Sequence, residues 1–358
     1  MKISLSQPDI TDLERNAVLD VLKTSHLSLG PKVKEFEEKI AQYAGVQYAV
    51  AVNSGTSALH LIVRALDIKE GDEVITTPFS FISSSNCILY ERAKPVFVDI
   101  DNSFNIDVDK IEEKITSKTK AILAVDVFGQ PANWSRLKEI ADKHNLFLIE
   151  DSAEALGSRY NGRKCGSFGN AAIFSFYPNK QMTMGEGGVI LTNDKRIADL
   201  CRSMANQGRE ERGGCWLNHQ RLGYNYRVSD INCALGIAQL SRIEEIMAKR
   251  KKVARLYNEK LNFPGVSIPN YLLDENTHPF VYVIKVEEKA KVIKEMAERG
   301  IQCGEYFKPI HLQPFYGYKE GEFPVCEGIA KKTVALPFYN NLQEDEISFI
   351  VNALKEIV

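Results

Sequence analysis

Short apolar runs alternate with amphipathic stretches through the first two thirds of the chain. Short apolar runs are typical of buried strands, and apolar positions three and four residues apart are typical of helices. The pattern predicts strands at Tyr48–Val52, Val74–Thr77, Pro95–Val98, Ala121–Val127 and Leu146–Glu150, and helices at Thr56–Leu66, Ile82–Tyr90 and Trp134–His144. Strands that alternate with helices indicate βαβ units. We therefore expect an α/β fold with a mostly parallel central sheet and helices on both faces.

The pattern changes after Glu150. Asn-Gly within Tyr160–Arg163 predicts a hairpin turn. Ala171–Tyr177 and Gly188–Thr192 are then predicted as two further strands. The stretch from about Ser229 to Leu261 is helical throughout and longer than usual, which suits one helix that connects two domains.

Beyond Pro264 the pattern is that of a smaller α+β unit. Its predicted elements are a strand at Phe280–Val286, a helix at Ala290–Arg299, a loop at Lys308–Tyr318 and a closing amphipathic helix at Glu344–Ile357. The sequence therefore predicts a large domain at residues 1–245 and a small C-terminal domain at residues 246–358.

Composition narrows the class of protein. The chain has 45 basic and 47 acidic residues and a net charge of −2, which argues against a nucleic-acid binder or a cationic membrane-surface protein. No apolar run approaches the roughly 20 residues that span a bilayer, and the first residues lack the apolar core of a signal peptide. Seven cysteines without a CxxC pair favour reduced thiols over disulfides or a metal site. We expect a cytoplasmic enzyme.

Three segments could carry chemistry. Asn53–Leu59 follows a strand and opens a helix, so its hydroxyl residues could bind a phosphate or only cap the helix. Asp151 follows another strand and could pair with a buried cation or act as a helix cap. Lys180 follows a third strand, before the glycine cluster Gly185–Gly188; it could be a solvated lysine or, if desolvated, a Schiff-base lysine.

Together the three segments favour one cofactor. A phosphate cradle, an acid and a lysine at the same end of a sheet are what pyridoxal phosphate (PLP) requires: an anchor for its phosphate, a partner for its ring nitrogen and an amine for its aldehyde. Phe81, after the strand Val74–Thr77, could stack on the ring or belong to the core.

The sequence resembles the DegT/DnrJ/EryC1/StrS family of sugar-nucleotide aminotransferases, which belongs to the fold type I PLP-dependent transferases. The resemblance covers nearly the whole chain, and its order and spacing are specific, with Asp151 and Lys180 twenty-nine residues apart. The matching segments are Leu29–Pro31 with Phe36–Glu37, Asn53–Leu59, Glu150–Glu154, Ser175–Lys180, Gly185–Gly188, Gly223–Arg227 and Pro309–Pro314.

The resemblance implies roles for particular residues. Lys180 would bind the cofactor covalently and shuttle the proton, Asp151 would pair with the pyridine nitrogen, and Phe81 would stack on the ring. Glu154 would lie near the phenolic oxygen and the substrate, where many members carry Gln; a carboxylate cannot donate a hydrogen bond there unless it is protonated.

The resemblance also implies phosphate and substrate contacts. Asn225 would reach the phosphate from the neighbouring subunit, since the active sites of the family lie at a homodimer interface. The remaining phosphate contacts would be Thr56, Ser57 and Ser175, and the substrate contacts, to a diphosphate or a carboxylate, would be Arg227 and His311.

Because Lys180 is present rather than the histidine of the family's dehydratases, the resemblance implies transamination. The amino group would pass from L-glutamate to the ketone of a nucleotide-linked keto-deoxy sugar, for surface polysaccharide or glycan synthesis. The Asn-Tyr-Arg sequence within residues 223–227 favours amination at C4, with a C3-specific enzyme as the alternative.

Two other classes of protein are less consistent with the sequence. A non-catalytic regulator on the same scaffold would not need both Asp151 and Lys180. A hydrolase or kinase would need a Walker or Mg²⁺ signature, which the sequence lacks.

Overall fold

The computed structural model describes residues 2–210, 218–274 and 276–358. Its centre is a sheet of seven strands in the order β1-β9-β8-β5-β4-β2-β3. These strands are β1 (Tyr48–Val52), β2 (Glu73–Thr76), β3 (Lys94–Phe97), β4 (Thr119–Val125), β5 (Phe147–Asp151), β8 (Ala171–Ser175) and β9 (Gly188–Thr192). All seven were predicted from the apolar runs, with ends that differ by at most two residues.

The sheet is parallel except for β9, which runs antiparallel to both of its neighbours, β1 and β8. The carboxyl ends of the other six strands therefore meet at one edge of the sheet, and the start of β9 lies at that same edge. This arrangement brings together loops that are far apart in the sequence.

Helices cover both faces of the sheet. The helices are α1 (Asp12–Leu22), α2 (Pro31–Ala44), α3 (Gly55–Ala65), α4 (Ser83–Tyr90), α5 (Trp134–His144), α6 (Lys195–Ala205), α7 (Asp230–Ser241), α8 (Ile243–Lys260), α9 (Lys289–Glu298), α10 (Pro324–Ala330) and α11 (Glu344–Ile357). Successive residues of β1 show the layering, because Val50 and Val52 join the core cluster that contains α3, whereas Ala49 and Ala51 join the one that contains α2. The predicted layered α/β architecture is confirmed.

The single long helix predicted at Ser229–Leu261 is wrong. The chain forms α7 and α8, and Arg242 between them has a non-helical backbone (φ −118°, ψ 24°). The Arg242 guanidinium is nearly buried and donates hydrogen bonds to Glu14 (2.6 Å) and to the side chain of Asp9 (3.0 Å). A buried charge must be paired. The contacts of Arg242 with the N-terminal segment therefore determine the backbone conformation at this residue, although the local sequence pattern is helical.

The C-terminal part contains a second, two-stranded sheet of β10 (Tyr282–Lys285) and β11 (Thr333–Leu336), which pair antiparallel. The first residues of the chain also lie here, because Ile3 bridges Ile301 and the carbonyl of Leu5 accepts a hydrogen bond from Phe338. The division into residues 1–245 and 246–358 stays a prediction.

Two local predictions can be compared directly with the structure. The short strands β6 (Arg159–Tyr160) and β7 (Arg163–Lys164) form the predicted hairpin, and both turn residues, Asn161 (φ 49°) and Gly162 (φ 78°), have the positive φ that an Asn-Gly turn adopts. The segment Lys308–Tyr318 is irregular except for one 3₁₀ turn. Within the described ranges, no helix is long and apolar enough to cross a membrane.

Candidate active site

A cavity of about 500 Å³ lies at the carboxyl edge of the large sheet. Its walls come from the loops after β1, β2, β5 and β8, from the last residues of β4, β5 and β8, and from the segment that precedes β9. The C-terminal part closes one side. The lining residues are Ser54, Gly55, Thr56, Leu59, Phe81, Ser83, Ser84, Val125, Asp151, Ala153, Glu154, Ile173, Ser175, Tyr177, Asn179, Lys180, Glu186, Phe280, Tyr306 and Phe307.

Lys180 projects into this cavity from the turn that follows β8. The turn is closed by a hydrogen bond from the Lys180 N–H to the Tyr177 carbonyl (2.9 Å). The Lys180 side chain is only 12% exposed, and its Nζ lies 3.5 Å from the Glu154 carboxylate and 4.0 Å from the centre of the Phe280 ring. The alternative of a solvated lysine is therefore excluded by the structure.

Asp151 ends β5 and is almost completely buried in the wall of the cavity. Its carboxylate accepts hydrogen bonds from the Ser84 hydroxyl (2.8 Å) and from the Ala153 N–H (3.1 Å). Burial raises the pKa of Asp151 above its ordinary value, although these hydrogen bonds and the positive charge of Lys180 oppose the shift. A cation bound beside the carboxylate would lower this pKa and stabilise the ionised form.

Glu154 is a second buried carboxyl group in the cavity. One of its oxygens accepts a hydrogen bond from the Phe128 N–H (2.8 Å), and the other faces Lys180. Burial raises the pKa of Glu154, and the Lys180 charge opposes this. The Lys180 amine thus has a carboxyl group in hydrogen-bond range before any ligand binds.

The N-terminus of α3 forms another part of the wall. Gly55 and Thr56 are its first two residues, and such N–H groups have no partner within a helix and favour an anion. Ser175 lies next to them, because a Cβ added to Gly55 would come within 3.0 Å of the Ser175 Cβ. Gly188 allows β9 to approach this turn, since a Cβ there would lie 2.4 Å from the Ser54 carbonyl.

Residues 8–355 match the DegT/DnrJ/EryC1/StrS aminotransferase family. The chain belongs to this family. It is therefore a transaminase that depends on PLP, and its fold is the fold type I architecture predicted from the sequence.

Two curated relatives and one solved structure show how close the similarity is. The chain is 37% identical to GDP-perosamine synthase of Escherichia coli O157:H7, over 99% of this chain and 98% of that protein. It is 32% identical to UDP-4-amino-4,6-dideoxy-N-acetyl-beta-L-altrosamine transaminase of Campylobacter jejuni, over 99% and 97% of the two chains. The PLP form of Spr1654 from Streptococcus pneumoniae superposes with a TM-score of 0.94 at 28% identity and covers 100% of this chain and 98% of that one.

The cavity of this aminotransferase fits the cofactor of its family. Asp151 is a buried carboxyl group that has hydrogen-bond donors but no ion pair among the described residues, so a protonated ring nitrogen would complete its surroundings. The Asn179 Oδ1 is buried in the same wall without a hydrogen-bond partner in the described part of the chain. The Gly55 and Thr56 N–H groups, which have no partner within α3, suit a phosphate.

Of the predicted cofactor contacts, Ser57 lies behind the cavity wall and Phe81 lines the cavity. The Ser57 hydroxyl donates to the Asn53 side chain (2.7 Å) and accepts from the Ser54 hydroxyl (3.0 Å), and Ser57 does not line the cavity. Phe81 does line the cavity and is 60% exposed, so it is not the core aromatic that the sequence left open.

Three predicted residues of the aminotransferase lie outside the cavity of their own chain. Asn225 is exposed, and Arg227 lines a separate groove of about 610 Å³, where it donates to the Asn206 side chain (3.0 Å). His311 is completely buried and its Nε2 lies 3.0 Å from the Glu327 carboxylate. The predicted substrate contact at His311 is therefore not formed in the single chain, because that ring packs inside the C-terminal part.

The structure adds cavity residues that the sequence did not single out. Ser84 holds the Asp151 carboxylate, and Asn179 donates to the Tyr306 hydroxyl (3.5 Å). Tyr306 and Phe280 come from the C-terminal part, and Phe280 lies 100 residues after Lys180 in the sequence. Ser84 lies in the first turn of α4, three residues after the predicted ring contact Phe81. This proximity was the one sequence signal that could have pointed to Ser84.

Proposed function

We propose that the chain transfers an amino group from L-glutamate to the C4 ketone of a nucleotide-linked keto-deoxy sugar. The product would be an amino sugar for surface polysaccharide or glycan synthesis. The observation that carries the proposal is the juxtaposition of Lys180 and Asp151, which face one cavity beside the N-terminus of α3. The names of the two curated relatives support a nucleotide-sugar substrate.

PLP, when bound, supplies the electron sink for this chemistry. Asp151 would hold the protonated ring nitrogen, and Phe81 would cover one face of the ring. Thr56 and Ser175, with Ser57 behind them, would hold the phosphate. Lys180 would bind the cofactor and move a proton at its Nζ to and from the substrate carbon, and Glu154 would hold the Lys180 amine in position.

Support for C4 comes from the Campylobacter jejuni relative, whose name specifies a 4-amino sugar. The Asn-Tyr-Arg sequence at 225–227 favours the same position. The alternative is a C3-specific enzyme. A non-catalytic regulator is disfavoured because both Asp151 and Lys180 line the cavity. We place the reaction in the cytoplasm, since the six described cysteines are all free thiols.

A panel of keto-sugar nucleotides tests the proposal. The enzyme, loaded with L-glutamate or, in separate reactions, with L-alanine or L-aspartate, would be offered UDP-, GDP- and dTDP-linked 4-keto and 3-keto sugars. Products would be identified by mass spectrometry. We expect an amino sugar from at least one 4-keto substrate, with loss of glutamate in equal amount. Conversion of 3-keto sugars alone would contradict the C4 assignment, and L-alanine or L-aspartate as the only effective donor would contradict the glutamate assignment.

We further propose that the enzyme is a homodimer with shared active sites. Asn225 is exposed and lies outside its own chain's cavity, so it is available to a second copy. There it would donate a hydrogen bond to the cofactor phosphate. A hydrogen bond to a charged group is worth about 1.5–3 kcal/mol, so we expect Asn225→Ala to weaken PLP binding about ten- to a hundredfold without unfolding the protein.

Mixed dimers test the shared site. Inactive Lys180→Ala chains would be mixed with inactive Asn225→Trp chains, the large ring blocking the phosphate position. In a shared-site dimer both lesions fall in one site and the other site is intact, so activity returns. The control mixes Lys180→Ala with Asp151→Asn, which line the same cavity of one chain, and should restore nothing. No recovery in the first mixture, or an active monomer on sedimentation, would contradict the proposal.

A further inference from the structure

A buried polar cluster lies outside the cavity of the active site. It consists of His60 and Arg64 on α3, Glu91 after α4, and Tyr224 and Tyr226, and we call it the His60 cluster. His60 and Glu91, at its centre, are 4% and 7% exposed, whereas Tyr224 and Tyr226 are half-buried and the Arg64 side chain reaches the surface. None of its members lines the cavity.

The donors and acceptors of the His60 cluster can be assigned in one consistent way. An ionised carboxylate only accepts, so Glu91 accepts from the His60 Nε2 (2.8 Å), from Arg64 and, more weakly, from the Tyr224 hydroxyl (3.3 Å). The His60 Nδ1 is then an acceptor, and the Tyr226 hydroxyl donates to it (3.1 Å). Burial lowers the pKa of His60, which favours the neutral ring that this pattern requires, although Glu91 opposes the shift.

The His60 cluster fixes the segment on both sides of Asn225. The Tyr224 and Tyr226 rings stack on each other with centres 4.9 Å apart and planes 10° apart. The backbone is held as well, since the Tyr226 N–H donates to the Ala205 carbonyl (3.0 Å) and the Asn53 N–H to the Tyr226 carbonyl (2.8 Å). Asn225 itself forms an antiparallel bridge with Asn206.

Stacked rings two residues apart must lie on the same side of an extended segment, and the side chain between them lies on the other side. Tyr224 and Tyr226 therefore face the interior, where the His60 cluster holds them, and Asn225 faces outward, where it is exposed. The direction of the Asn225 side chain is thus set by buried groups on α3 and after α4.

We infer that the His60 cluster is a positioning site for Asn225. It holds the inner face of the segment so that the Asn225 amide is presented, already oriented, to the cofactor phosphate of the partner chain. This inference rests on the proposed shared site. His60, Glu91 and Tyr226 are positioning residues, because they touch neither cofactor nor substrate.

The first experiment is a double-mutant cycle on PLP affinity, measured by absorbance titration of the purified apo-dimer. Tyr226→Phe removes one hydroxyl and keeps the stacked ring. We expect it to weaken PLP binding about three- to tenfold, because the segment around Asn225 loses one of the hydrogen bonds that hold it in place. In the Asn225→Ala background the same change should have no further effect, because Tyr226 acts through Asn225. A loss of equal size in both backgrounds would overturn the inference.

Tyr90→Phe is the matched control. The Tyr90 ring also contacts His60, with centres 5.2 Å apart, but among the described residues its hydroxyl bonds to no member of the cluster. It should leave PLP affinity unchanged. Glu91→Gln is the second variant, because its amide cannot accept from both His60 and Arg64; its effect should likewise vanish when Asn225 is alanine. An equal loss in Tyr90→Phe would assign the effect to general packing.

Mixed dimers separate this inference from the shared site itself. In the dimer of Lys180→Ala and Asn225→Trp chains, one intact site takes its lysine from the second chain and its asparagine from the first. Tyr226→Phe should weaken PLP binding at that site when placed in the first chain and not when placed in the second. Weakening from the second chain alone would show that the cluster acts on its own chain's site through α3. If the parent mixed dimer has no intact site, the shared-site proposal fails, and this inference fails with it.

Discussion

Lys180→Ala is expected to abolish covalent attachment of PLP and to lower turnover by at least about 10²–10⁴-fold, the contribution typical of a positioned proton-transfer group. The Lys180 side chain is only 12% exposed and shares the cavity with Asp151 and Glu154. Alanine removes the only described lysine that lines that cavity, so no neighbouring amine can replace it. Borohydride reduction followed by peptide mapping, together with turnover of a keto-sugar nucleotide, measures both effects.

Lys285→Ala is the matched control for Lys180. Both lysines lie over an aromatic ring, and the Lys285 Nζ is 4.9 Å from the centre of Phe104. Burial lowers the pKa of Lys285. It lies on β10, outside the cavity, so its loss should leave labelling and turnover near the wild-type values. Borohydride labelling of Lys285 or of any lysine other than Lys180 would show that the proposed site is misassigned.

The site residues that could be predicted from the sequence all lie at or just after the ends of strands whose sequences are clearly apolar. Asp151 is the last residue of β5, and Thr56 and Lys180 follow β1 and β8 within a few residues. A parallel sheet places the ends of those strands at one edge, whatever their distance in sequence. The local pattern therefore predicted both the strands and the common location of these three side chains. Knowledge of the loop conformations was not needed.

The parts that could not be predicted depend on contacts between distant segments. Tyr306 and Phe280 reach the cavity because the C-terminal part packs against the sheet, and no local pattern encodes that. The break between α7 and α8 depends on the pairing of Arg242 with Asp9 and Glu14, more than two hundred residues away. In each case a tertiary contact, rather than local propensity, decides the outcome.

His311 shows the same limit in a motif. Its segment, Pro309–Pro314, carries the family resemblance, but the His311 ring is buried and pairs with Glu327 on α10. A sequence motif indicates which residue type is present and not which way its side chain points. Ser84 is the opposite case, because an ordinary serine in the first turn of α4 holds the Asp151 carboxylate.

Asp151→Asn is expected to retain PLP and to lose turnover by about 10²–10³-fold, the range for removal of one preorganised electrostatic contact. The amide is nearly the same size, and its oxygen can still accept from the Ser84 hydroxyl or the Ala153 N–H, so the cavity should keep its shape. What it lacks is the negative charge that stabilises a protonated ring nitrogen, and only that form of the ring withdraws electrons strongly.

Asp142→Asn on the exposed end of α5 controls for the chemical change itself and should behave as wild type. The decisive comparison is between bound PLP, measured by absorbance, and turnover of the same preparation. Retained PLP with turnover near zero would support the ring-nitrogen role. Retained PLP with wild-type turnover would reduce Asp151 to a residue that holds the Ala153 N–H and caps the turn after β5. Loss of PLP together with turnover would mean that the charge serves mainly to bind the cofactor, because a protonated nitrogen attracted to the buried carboxylate would then contribute most of the affinity.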